Sequence, residues 1–214
     1  MYGFQKEEMP KISENNDKYE FTGEYITFEI DGETHTVYRI RAKKDIIDKD
    51  GKIIVRKGEL GGFIEKEENL DYRSNAWVFD NARIFGDAWV SGNARVYDDA
   101  WVYGNARVFG DAWVYDYAKV FDYAWVYDDA RVFGYAWVFG YARVFGNAMV
   151  FGNAWVYGNA RVFGDAWVYD YAKVSGDARI YGIARVFGYA RVTKGVWSSG
   201  DVIEENDVKE AKRP

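Results

Sequence analysis

From Asn75 to Lys194 the sequence is written in six-residue units, NAWVFD, NARIFG, DAWVSG, NARVYD and onward to YARVTK, twenty in succession without an insertion. A short fixed period of this kind specifies a solenoid, because one unit is too small to bury an apolar face and must stack on its neighbours. Alanine stands second in each hexad and Val or Ile fourth, from Ala76 and Val78 to Ala190 and Val192. Strand side chains alternate sides, so the second and fourth residues share one face and the third and fifth the other. Turning the third residues inward would bury Arg83, Arg95, Arg107, Lys119, Arg131 and Arg143 without partners, at prohibitive desolvation cost. Alanine and valine therefore fill the interior. The sixth residue is Gly or Asp in every hexad but the last, and the first is mostly Asn, Asp or Tyr. That is the composition of a corner at which one residue takes positive φ.

An aliphatic residue followed four places later by a small one, as in Val78 and Ala82, Ile84 and Ala88, and Val90 and Ala94, resembles the pattern of hexapeptide-repeat proteins. The resemblance covers residues 75–194. It implies an all-β fold, a single-stranded parallel β-helix that is left-handed and triangular, with three hexads to a coil. Twenty hexads then make about seven coils, roughly 30 Å tall at the strand spacing. The segment Leu60-Gly61-Gly62-Phe63-Ile64-Glu65 is similar to that of uncharacterised prokaryotic and phage proteins carrying this helix after a small N-terminal β unit.

Three regions follow. Residues 1–74 alternate as strands, with Asp31-Gly32 between Tyr25–Ile30 and Thr36–Ile40 as a hairpin turn; they are expected to form a small β-rich cap on the first coil, whose edge is otherwise unpaired. Residues 75–194 are the β-helix. Residues 195–214 are a C-terminal cap and charged tail, with Trp197, Val202 and Ile203 expected to fold over the last coil and the stretch from Glu204 to form a short helix or fray.

The outside of the helix is patterned. Third positions alternate Trp77, Arg83, Trp89, Arg95, Trp101, Arg107, Trp113, Lys119, Trp125, Arg131, Trp137, Arg143. With eighteen residues to a coil, each Trp has a cation stacked above it, as in Trp77, Arg95, Trp113, Arg131, which predicts a cation–π ladder. Fifth positions are Phe or Tyr except Ser91, Ser175 and Thr193, and aromatic columns on every face predict a partner, self-association or a covering segment. First-position tyrosines pair in the same register, Tyr117 with Tyr135, Tyr123 with Tyr141, and Tyr171 with Tyr189, forming ridges on two corners. The third corner carries Asn75, Asn93, Asp111, Asp129, Asn147 and Asp165, a turn ladder. The expected binding surface comprises Trp77, Trp101, Trp113, Trp125 and Trp137 with those six tyrosines. Asp80, Asp98 and Asp116 also stack, beside Asp99, in the manner of an oxygen-ligand cation site, but nearby Arg and Lys neutralise them, and no metal or cofactor is expected.

Composition narrows the function classes. There is no cysteine among 214 residues, hence no disulfide, thiolate metal site or cysteine nucleophile. The repeat holds 12 Lys and Arg against 12 Asp, which supplies neither the basic face of a nucleic-acid binder nor the acidic one of a mimic. No apolar run is long enough to span a membrane and no signal segment opens the sequence, so a cytoplasmic location is expected. Many hexapeptide-repeat proteins are acyltransferases, and the resemblance implies for those a histidine general base on a coil. The sole histidine, His35, lies outside the repeat. Ser91, Ser175, Ser198 and Ser199 have no histidine beside them in the repeat, and Gly61-Gly62 is a turn and not a phosphate loop. The expectation is therefore a non-catalytic interaction or structural protein, binding a protein or glycan or forming a homo-oligomer. An acyltransferase-like enzyme and a phage-encoded protein that engages a host component are the alternatives.

Overall fold

The computed structural model describes residues 9–48 and 50–203; the charged stretch expected to form a short helix or fray, from Glu204 to Pro214, lies outside the described residues. From Trp77 to Val192 each hexad contributes a two-residue strand made of its third and fourth positions. Each strand pairs in parallel with the one eighteen residues on: Trp77 with Arg95, Arg83 with Trp101, Trp89 with Arg107. Three hexads thus close one coil, and stacking yields three sheets. Face 1 runs from Trp77 to Asp201, face 2 contains Arg83 to Arg191, and face 3 runs from Trp89 to Val196.

Every second-position alanine and fourth-position Val or Ile from Ala76 to Val192 is fully buried. Third- and fifth-position amides donate to the next coil, as in Arg83 N to Ala100 O (2.9 Å) and Phe85 N to Val102 O (3.1 Å), and many first-position amides do so too, as in Asn81 N to Asp98 O (3.0 Å). Sixth residues hold φ near +50 to +72° without exception from Asp80 to Gly188, the left-handed conformation that Gly and Asp tolerate. Aspartate adds something glycine lacks. The carboxylates of Asp98, Asp116, Asp122, Asp128 and Asp170 accept from the sixth-position amide of the following coil, at 3.2 Å for Asp116 N on Asp98 and 3.0 Å for Gly134 N on Asp116.

Strand β1 (Tyr19–Ile30) and strand β2 (Glu33–Ala42) form an antiparallel hairpin turning at Asp31-Gly32, where both φ values are positive, 51° and 82°, as the twist of a two-residue hairpin requires. A second small hairpin joins β3 (Ile46–Ile47) and β4 (Ile53–Val55). Strand β5 (Leu60–Ile64) pairs antiparallel with β2 on one side and parallel with Arg83–Ile84 on the other, so the first hairpin extends face 2.

Stacking therefore starts before the first regular hexad and gives about eight turns, since eight strands line face 1. Gly61-Gly62, expected as a turn, lies within β5, where Ile64 takes the inward aliphatic place and Gly62 the alanine place. A Cβ on Gly62 would come within 2.7 Å of Ala82 O, so even alanine does not fit there. At the other end Trp197 and Val202 do not fold across the last coil. They continue it, Trp197 under Ile180 and Val202 under Val186, while Ile203 is exposed. A large indole in an inward column closes the tube from within.

Candidate interaction surface

The third-position columns form the expected ladder. Arg83 lies 5.1 Å and Lys119 4.7 Å from the Trp101 ring, and Lys119 also lies 5.3 Å from Trp137. Trp113 sits between Arg95 at 5.4 Å and Arg131 at 5.3 Å, and Trp125 between Arg107 at 5.7 Å and Arg143 at 4.7 Å. These four tryptophans are half-buried. Below Arg143 the alternation slips. Met149 stands where a Trp is due, the next Trp is Trp155, and the columns pass out of phase. Trp137 stacks on Trp155 at 5.2 Å and 4°, and Arg143 pairs with Arg161, which pairs with Arg179.

Trp77 departs from expectation. It is wholly buried, although third positions face outward, because the N-terminal unit packs over it: the Tyr19 ring lies 6.4 Å away edge-on and Lys18 Nζ 6.0 Å from the indole. It is part of the core and offers no binding surface. Trp101 is half-covered in the same way by Phe28 of β1, 5.2 Å away. Nothing in the repeat itself signals either contact.

Fifth-position rings stack coil on coil, Phe85 on Tyr103 and on through Phe121, Phe139 and Tyr157 at 4.8–5.0 Å and within 5° of parallel. They also meet tryptophans edge-on, as Phe121 meets Trp137 at 6.0 Å. Their faces are thus used within the chain, and none is exposed. Burial raises the phenol pKa of Tyr103, Tyr115, Tyr127 and Tyr169, with Asp31 and Asp122 adding to the effect at Tyr103.

The tyrosine ridges differ. Tyr117 and Tyr135 stack at 5.0 Å, Tyr123 and Tyr141 at 5.1 Å, Tyr171 and Tyr189 at 5.2 Å, yet all six are between 50% and 67% exposed. Elsewhere the same corner positions hold Asn and Asp in hydrogen-bonded ladders, Asn75 to Asn93 to Asp111 and Asn159 to Asp177. The turn therefore does not demand tyrosine. The two corners that carry the ridges bound face 2.

His35 is mostly buried. Its Nδ1 lies 2.9 Å from Glu65 Oε1, its ring 4.8 Å from Phe85, and the other Glu65 oxygen accepts from Gly86 N at 2.6 Å. These bonds tie β2 to the first coil. Ser91 and Ser175 are buried. Of the carboxylates considered for a cation, Asp98 and Asp116 are turned to backbone amides. Among the described residues no helix is long and apolar enough to cross a membrane.

A family model described as the YdcK beta solenoid repeat matches residues 88–104, 100–116, 142–158 and 154–170. Each match begins at a second-position alanine; the first overlapping pair precedes the slip in the tryptophan pattern and the second spans it at Met149. No curated protein matches this chain. The chain is a β-solenoid repeat protein.

Proposed function

We propose that this protein is non-catalytic and acts through a protein-binding surface formed by its tyrosine ridges, with self-association as one form of that contact. The observation that carries this reading is the exposure of the six first-position tyrosines on corners where other coils hold Asn or Asp, as Asn159 and Asp177 do in the column of Tyr123 and Tyr141. Tyrosine gives a rigid, largely apolar contact with a polar tip, the chemistry enriched at protein interfaces. Glycan stacking needs open ring faces, and the long aromatic columns have theirs against one another, which favours a protein partner. The engagement of His35 with Glu65 supports a structural part for the sole histidine.

The test is molar mass by light scattering over a concentration series, comparing the native protein with Tyr117→Ser/Tyr135→Ser. A defined oligomer that the double substitution dissociates is expected. A native protein that stays monomeric at every concentration would remove self-association, and a mass unaffected by the substitutions would remove the ridge.

A further inference from the structure

The neutral repeat conceals a segregation of charge. Residues 75–134 carry 5 Lys and Arg against 9 Asp, and residues 135–194 carry 7 against 3, so the two halves of the solenoid bear −4 and +4. The sign changes where the tyrosines are densest: Tyr117, Tyr123, Tyr135 and Tyr141 occupy consecutive coils that straddle the boundary. An exposed aromatic belt at mid-height, with opposite charges above and below, matches itself when one copy is inverted.

We infer that the partner is a second copy of this chain, packed antiparallel along face 2 about a two-fold axis that passes between the rungs of Tyr117 and Tyr135. This rests on the reading of the ridges as a self-contact. Such an axis lies across the solenoid and keeps each column opposite its own counterpart. Tyr117 of one copy then meets Tyr135 of the other, and Lys119 meets Trp137 of the second copy, the same cation–indole pairing that stabilises each coil stack. Along face 2 and its two corners the first half bears −4 and the second +1, since Arg143, Arg161 and Arg179 lie on face 3 and Arg185 on face 1, so inversion sets an acidic surface against a weakly basic one, twice over, and closes the assembly at two. A parallel arrangement would place Lys119 on Lys119 and −4 on −4, which opposes association. The hairpin tip strengthens the match. Asp31 and Glu33 lie beside Tyr103 at the acidic end of face 2, where inversion brings the end of the second copy that carries Lys173 and Arg191.

The absence of cysteine makes the geometry directly measurable. Asp99 stands one coil before Tyr117 and Asn153 one coil after Tyr135 in the same column, so the two are symmetric about the proposed axis. Asp99→Cys and Asn153→Cys proteins are oxidised separately and as an equimolar mixture, with light scattering on the same samples. A disulfide-linked dimer in the mixture and little in either protein alone is expected. A disulfide between Asp99→Cys and Asn105→Cys proteins, the positions that a two-fold along the solenoid would bring together across face 2, would establish a parallel pair, and a dimer by mass with no cross-link in the Asp99→Cys and Asn153→Cys mixture would reject this pairing; either overturns the antiparallel arrangement and leaves the ridge contact standing. A monomer by mass would overturn both. Raising ionic strength from low to high should weaken the dimer by about tenfold as the opposed charges are screened, whereas a strengthened dimer would speak against opposite charges in contact.

Discussion

Arg143 stands in register with Arg161 on adjacent parallel strands of face 3, and Arg179 follows directly on the next. Like charges directly opposite on neighbouring strands destabilise a sheet, and earlier in the same column Trp89 and Trp125 separate the cations. The cause is the slip at Met149, which moves the Trp and cation pattern by one hexad and so brings arginine onto arginine. Arg161→Trp restores the spacing on this face and places an indole between two guanidiniums. Two exposed cation–π contacts, with relief of the repulsion, should raise stability by about 1–2 kcal/mol. The denaturant midpoint measures it; an unchanged midpoint would show that solvent already separates the guanidiniums electrostatically.

Asp116 joins two requirements at one corner, a φ of 58° and a carboxylate 3.0 Å from Gly134 N. Asp116→Gly keeps the first and loses the second, and should cost no more than about 1 kcal/mol. Asp116→Ala loses both, and should cost about 2 kcal/mol because a Cβ without a local hydrogen bond is disfavoured in the left-handed region. Equal denaturation midpoints for the two variants would remove backbone conformation as the reason these positions are restricted to Gly and Asp.

The repeat made most of this architecture legible. Period and alternation alone placed Ala76 and Val78 inside, whereas setting Arg95 over Trp77 and Tyr117 beside Tyr135 also took the three-hexad coil that the resemblance to hexapeptide-repeat proteins implies. Trp77 shows where that reasoning ends. Its burial depends on residues 18–42 folding back over the first coil, a tertiary contact that no local pattern carries. Gly62 hid the true first strand, because the place that later takes alanine is too close to Ala82 O for any Cβ. The slip at Met149 is written in the sequence, but its consequence for Arg161 emerges only when the third positions are followed column by column to the end.

Trp77 itself yields a graded prediction. It is 0% exposed, and its Nε1 has no hydrogen-bond partner among the described residues, so its contribution comes from packing. Trp77→Phe should cost about 1–2 kcal/mol as a partly filled site, and Trp77→Ala about 3–5 kcal/mol as an open cavity beneath the N-terminal unit. Proteolysis between residues 9 and 60 should accelerate in the alanine variant while the later coils stay protected, since a solenoid opens locally. Simultaneous cleavage of cap and coils would contradict independent opening of the cap.

Lys18 makes stability depend on pH in a direction opposite to that of a surface lysine. It is 1% exposed, with Nζ donating to Asp71 O at 2.9 Å and Ala76 O at 2.5 Å. Burial pushes its pKa down from 10.5 to about 7, although the Asp71 charge opposes the shift. Between those values the unfolded chain binds more protons at this group than the folded one, so stability rises with pH across that window, and on lowering the pH it falls until about 7 and then levels off. Tyr19 and Tyr103 act the other way at higher pH. Burial raises both phenols above their usual 10.0, so the unfolded state ionises first and stability declines beyond that point. The expected profile rises by about 3 kcal/mol between roughly pH 6.5 and pH 9.5 and turns over above pH 10. Lys18→Met should flatten the rising limb and leave the fall in place, as read from denaturant midpoints measured across pH. A rising limb that survives in Lys18→Met would assign the dependence to another group.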